Sequence, residues 1–113
     1  MPRSSQSLRA LKGSAPIFAA LGDETRLAIV SRLSSGGPRS INALTEGSAV
    51  TRQAVTKHLH ILAGAGLVSC SPRGRERIWE LDSRRLAQAQ HYLAEISKHW
   101  DAALDRLRTF VED

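Results

Sequence analysis

Thr51-Arg52-Gln53-Ala54-Val55-Thr56-Lys57-His58-Leu59-His60-Ile61-Leu62-Ala63-Gly64-Ala65-Gly66-Leu67-Val68 holds a helix with both ends written into it. Thr51 is a good N-cap, because its hydroxyl accepts from an otherwise orphaned first-turn amide. Ala54, Val55, His58, Leu59 and Leu62 recur at i, i+3, i+4 and mark a buried stripe. Gly64 and Gly66 end the helix near Ala63. Off the stripe lie Thr51, Arg52, Gln53, Thr56, Lys57 and His60. Arg and Lys pair with guanine edges or phosphates, Gln is bidentate to adenine, and Thr reaches a phosphate oxygen or a thymine methyl. The helix N-terminus itself favours a phosphate near Thr51. A solvated amphipathic face has similar composition, so the flanks decide.

Upstream, Ser40 opens a short helix with Ile41 and Leu44 turned inward, ending near Glu46-Gly47, and Ser48-Ala49-Val50 is a tight connection. The pair is a helix-turn-helix. Downstream, Leu67 to Ser71 and Arg77 to Leu81 read as strands of a hairpin, with Pro72-Arg73-Gly74-Arg75-Glu76 as the turn. Its tip carries Arg73, Arg75 and Arg77. Arginines on a tip beside a helix-turn-helix suit a minor-groove or backbone contact. Helix, hairpin and local charge together point to double-stranded DNA as partner.

Further out, Leu8, Leu11, Ala15, Ile17, Phe18 and Leu21 suggest a first helix with an irregular middle at Gly13 and Pro16, ended by Gly22. Asp23 then caps a second helix, with Glu24 in its first turn. That helix runs to about Leu33 and buries Leu27, Val30 and Leu33; Ser34-Ser35-Gly36-Gly37-Pro38 breaks it. A last helix starts at Asp82 or Ser83 and runs almost to Asp113. The order, α-α-α-α-β-β-α, is mainly α with one β-hairpin. One domain spans residues 1–113, with polar residues 1–7 expected to be disordered and residues 82–111 forming the long helix.

The 113 residues are 42% hydrophobic and 24% charged, an ordinary globular balance. Sixteen Lys and Arg against eleven Asp and Glu give +5. Position matters more than the total: residues 1–49 carry net +3, residues 50–77 net +4, and residues 78–113 net −2. Such asymmetry is the footprint of a surface that meets phosphates. The single cysteine, Cys70, excludes an internal disulfide framework, a Cys-rich zinc site and a dithiol sensor; it reads as a small packing residue. No run approaches the roughly 18–20 apolar residues of a membrane span, and residues 1–12 do not read as a secretory signal. A soluble, cytoplasmic protein is expected.

Leu86, Ala89, Leu93, Ile96, Trp100, Ala103, Leu107 and Phe110 follow a heptad seam, flanked by Tyr92, Leu104 and Val111. So broad a face packs on the first helix or meets a second subunit. No paired carboxylates, activated nucleophile or glycine-rich phosphate loop appears at workable spacing, so no enzyme is expected. Asp101 and Asp105 are explained by solvation and pairing with Arg108. A sequence-specific regulator is the leading reading, and a non-specific architectural or partner-binding protein the alternative.

Phe18-Ala-Ala-Leu21-Gly-Asp23-Glu-Thr25-Arg26-Leu27-Ala-Ile-Val30 resembles the opening of ArsR/SmtB-type winged helix-turn-helix repressors. Ala54 to Leu59 followed by Ala65-Gly66-Leu67-Val68 resembles that family's recognition helix and its run into the wing. The likeness spans roughly Ala15 to Asp113. His99-Trp100-Asp101, Leu104-Asp105-Arg106-Leu107 and Phe110 look like the members often encoded beside a small START-like protein. The resemblance implies a homodimer built by the first and last helices, seated as a repressor on an inverted repeat and released by an inducer. It places Arg52, Gln53, Thr56, Lys57 and His60 in the major groove, and Arg73, Arg75 and Arg77 in the wing. His58 matches a family position but falls on the apolar stripe and reads as structural.

Many relatives sense metals. The thiolate site needs a cysteine pair where this chain has Ile41-Asn42-Ala43-Leu44-Thr45. The zinc-type site falls on Ser83, Arg85, Ile96 and His99, of which one residue is a possible ligand. His91, Glu95 and His99 share an i, i+4, i+8 face that reads as solvated. No metal, no cofactor and no particular inducer is expected.

Overall fold

Leu59 and Leu62 are wholly enclosed and Val55 is 1% exposed, so their helix is gripped along one face while the other meets water. The computed structural model describes residues 13–112, and the expectations for residues 1–7 and for a helix start at Leu8 lie outside them. Residues 13–21 are one continuous helical stretch, α1, which runs through Pro16 without the expected irregularity. Then follow α2 (Glu24–Gly36), β1 (Arg39–Ser40), α3 (Ile41–Thr45), α4 (Arg52–Gly64), β2 (Val68–Arg73), β3 (Glu76–Leu81) and α5 (Ser83–Glu112).

Each cap has a chemical cause. Asp23 accepts the Arg26 N–H, Ser40 the Ala43 N–H, and Thr51 the Ala54 N–H. α4 stops in a Schellman arrangement: Gly66 N–H donates to the Ala63 carbonyl and Leu67 N–H to the Leu62 carbonyl. Gly66, at φ 78, is the left-handed residue this requires. The next residues, Leu67 and Val68, are buried, so the helix end leads straight into the sheet.

Several expectations are corrected. α2 continues through Ser34 and Ser35 to Gly36, and Gly37, at φ 75, ends it. Its inward residues are Ile29 and Leu33; Val30 is half-buried and Leu27 is 51% exposed. A stripe through Arg26, Ile29, Val30 and Leu33 leaves Leu27 a quarter turn to the side. The sheet has three strands in the order β1-β3-β2, all antiparallel. Arg39 and Ser40 pair with Trp79 and Ile78; so short a strand carries no periodicity to read. The turn shrinks to Gly74-Arg75, with Pro72 inside β2. Proline is tolerated there because β2 is an edge strand. Cys70 is exposed, not packed, because this edge strand buries Val68 alone.

The core joins Ile17, Ile29, Leu33, Leu44, Val55, Leu59, Leu62, Leu67, Val68 and Trp79 to Ala89 of α5. Leu86 also packs on it. Leu86 and Ala89, expected on the intersubunit seam, pack on the core of their own chain. Beyond them α5 leaves the body, giving extents of 65 × 32 × 20 Å. The Phe18 and Tyr92 rings, 6.0 Å apart, hold α1 against α5. Asp105 pairs with Arg108 at 3.8 Å. No helix among the described residues is long and apolar enough to cross a membrane.

Leu59→Ala should lower stability by about 2–5 kcal/mol, and the exposed Leu27→Ala by roughly 0.5 kcal/mol or less. Urea denaturation of the two variants checks the ranking. The Asp23 carboxyl is held below its ordinary 3.8, first by the Arg26 N–H that donates to it. A lowered carboxylate contributes fully above its unfolded value, and the contribution is lost as pH falls through the folded one. Asp23→Asn keeps a cap acceptor but not the charge, so it should be modestly less stable than the wild type at neutral pH, with the difference shrinking as pH falls below about 4.

Candidate nucleic-acid interface

Because Val55, Leu59 and Leu62 fix the rotation of α4, its outer residues have one direction to face. Thr51, Arg52, Gln53, Lys57 and His60 are exposed and Thr56 is half-buried. α4 contains no acidic residue. At its start the cap satisfies the Ala54 N–H through the Thr51 Oγ1 at 3.1 Å. The Arg52 and Gln53 amides of the same turn point along the axis, a favourable place for a phosphate. The Thr56 Oγ1 donates to the Arg52 carbonyl at 2.8 Å, which leaves its oxygen lone pairs to accept.

The turn before α4 is braced by a residue with no sequence pattern to betray it. Arg32 of α2 donates to the Leu44 carbonyl at 2.7 Å and the Ala43 carbonyl at 2.8 Å. A guanidinium on the last carbonyls of α3 complements that end of the helix and fixes it to α2.

His60 does more than face outward. Its ring meets Trp79 edge-on, with centroids 5.9 Å apart and planes at 88°. Trp79 is 4% exposed in β3, so the contact ties the second half of α4 to the base of the ribbon. Seven residues separate His60 from Gln53, about two turns.

In the ribbon, Arg73 faces Glu76 and Pro72 faces Arg77 across the strands. Successive residues alternate faces, so Arg77 shares the Trp79 side while Arg73 lies on the other, beside Glu76. Gly74, at φ 62, and Arg75 form the tip. All three arginines are exposed at one end of the ribbon but do not form one row. Arg84 is different again: its guanidinium grips Asp82 at 2.9 Å, holding that carboxyl low and its own value high.

His91, Glu95 and His99 are separately exposed along α5. Among the described residues, no three His, Cys, Asp or Glu side chains gather where a metal ion could sit.

A short helix, a turn, a cationic helix and an arginine-tipped ribbon define a winged helix-turn-helix DNA-binding domain. Residues 21–70 match a helix-turn-helix domain family. The chain is 39% identical over 85 residues to the HTH-type transcriptional regulator Rv2034 of Mycobacterium tuberculosis, covering 75% of this chain and 76% of that protein. It superposes on an ArsR-like transcriptional regulator from Rhodococcus sp. RHA1 with a TM-score of 0.72 and 33% identity, over 88% of this chain and 92% of the other. A homodimeric winged helix-turn-helix domain from Mycobacterium bovis shares the fold at 20% identity and a TM-score of 0.62, over 79% and 82% of the two chains. The chain belongs to the ArsR family of winged helix-turn-helix transcriptional regulators.

Gly74→Val should strain the tip by about 1–2 kcal/mol through its positive φ alone, since nothing lies within 4 Å of an added Cβ. DNA affinity should fall while the near-ultraviolet signal of buried Trp79 is kept; fluorescence anisotropy and circular dichroism read the two.

Proposed function

We propose that this chain is a homodimeric, sequence-specific repressor that occupies an inverted repeat in its own operator. The observation that carries the reading is the pairing of an exposed cationic face on α4 with a long, uncovered apolar face on α5. Thr51, Arg52, Gln53, Thr56 and Lys57 enter the major groove, with Arg52, Gln53 and Lys57 reaching base edges. His60 bears on the groove wall and on Trp79. Arg75 enters the minor groove, and Arg73 and Arg77, on opposite faces of the ribbon, take the phosphates on either side.

The second subunit covers the far part of the seam: Leu93, Ile96, Trp100, Ala103, Leu107 and Phe110. Leu93 is 52% exposed, Trp100 64%, Leu107 61% and Phe110 82%, a continuous apolar surface that a soluble monomer rarely shows. α1, already seated on α5 through Phe18, extends the same surface. The M. bovis fold neighbour, itself homodimeric, assembles in keeping with this. A two-fold dimer sets its recognition helices about one DNA turn apart, which is why the site is an inverted repeat. Repression follows from occupancy, because a dimer seated on a promoter excludes the polymerase.

Gln53→Ala should cost about 1–3 kcal/mol at one base position and little on random DNA. Arg75→Ala should weaken binding to every sequence and reduce the salt slope by about 1. Trp100→Asp should give monomers in sedimentation. A footprint over the upstream region tests the whole: one short protected inverted repeat supports specific repression, and featureless coverage favours the architectural reading.

A further inference from the structure

Arg26 joins three helices. Its backbone N–H donates to the Asp23 Oδ2 at the start of α2, and its Nε donates to the Ala20 carbonyl of α1. Its Nη1 lies 3.2 Å from the Nδ1 of His58 on α4. A guanidinium has no acceptor, so Nδ1 must offer its lone pair, and the neutral ring carries its proton on Nε2. The Asp23 Oδ2 stands 3.8 Å from the same Nδ1.

Protonating His58 turns Nδ1 into a donor that faces a cation. The Arg26 bond cannot persist in that state, and Asp23 is the acceptor within reach. We propose that His58 is a positioning residue for the recognition helix and that its protonation selects its partner: Arg26 when neutral, Asp23 when charged. The exchange matters because the two partners do different work. Arg26 links α4 to α1 through the Ala20 carbonyl, whereas the Asp23 Oδ2 is the cap of α2 and must then serve both the Arg26 N–H and the imidazolium.

The charged groups that face the ring are Asp23 and Arg26, both from α2; α1 contributes its carbonyl only through Arg26. On α4 itself Lys57 and His60 leave by the exposed side. The His58 side chain is 21% exposed, so solvent protons reach it. The consequence has a sign opposite to that of simple charge. Protonating an exposed histidine such as His60 tightens binding to a polyanion, whereas moving His58 from Arg26 to Asp23 breaks the link from α4 to α1 and should weaken that binding.

The joint is read on the free protein, and only its effect on DNA rests on the proposed role of α4. Nitrogen NMR of the ring, followed from about pH 8 to about pH 5.5, should show the proton of the neutral form on Nε2. A neutral ring protonated on Nδ1, or a ring that stays neutral across the range, overturns the proposal. Operator affinity, measured on a duplex from the chain's own upstream region, should fall about threefold or more over the same range. In His58→Asn, whose Oδ1 stands where Nδ1 does and still accepts from Arg26, it should hold or rise. An equal fall in the variant, or none in the wild type, overturns the coupling to α4. Should no operator binding be seen at any pH, the regulator reading fails, and the NMR result alone judges the joint.

Discussion

The placement of every DNA-facing side chain depends on how α4 is buried. Val55, Leu59 and Leu62 are no more than 1% exposed, and removing such side chains from water is worth about 1.5–3 kcal/mol each. That fixes the rotation of α4 about its axis. Its tilt is fixed elsewhere: Arg32 holds the end of α3, and Arg26 reaches His58. A slip of one residue, a rotation of about 100°, would bring Thr56 and His60 inward and carry Leu62 toward water, exchanging a favourable burial for buried polar groups. The binding face is thus a consequence of the core.

The wing inherits its position from the same core. Leu67 and Val68 follow the Schellman turn without an intervening loop, so the ribbon starts at a fixed distance from α4. Trp79 then closes the gap, against Arg39 of β1 on the neighbouring strand and His60 on the helix. Helix and ribbon are thus anchored to one another through buried residues. α5 draws on both regimes: its first turns complete the core through Leu86 and Ala89, and its later turns leave their apolar residues uncovered.

What could be read from the residues was whatever repeats or punctuates. The α4 stripe, its Thr51 cap, the Gly66 exit and the length of α5 leave local signals and stand where those put them; the hairpin is where its signals put it, but with a two-residue turn in place of five. What escaped depends on partners distant in the chain. Arg26 and Arg32 look like surface charges until α1, α3 and α4 are in place. β1 is two residues long and exists only because β3 offers an edge. Leu27 reads as core by composition, but the neighbours that would bury it lie on the adjacent stripe. The heptad of α5 is legible in its spacing, yet spacing does not say which of its residues their own chain buries: Ala89 is 5% exposed and Leu93, one turn on, 52%.

The central claim is that the first turns of α4 and the tip of the ribbon form one DNA-contacting surface while the α5 face does not touch DNA. Backbone amide NMR during titration with a duplex from the upstream region tests it most directly. The account predicts concerted shifts at residues 51–57 and 73–77 that saturate together, with residues 93–110 unmoved. Shifts centred on α5, or on the ribbon without α4, would contradict it.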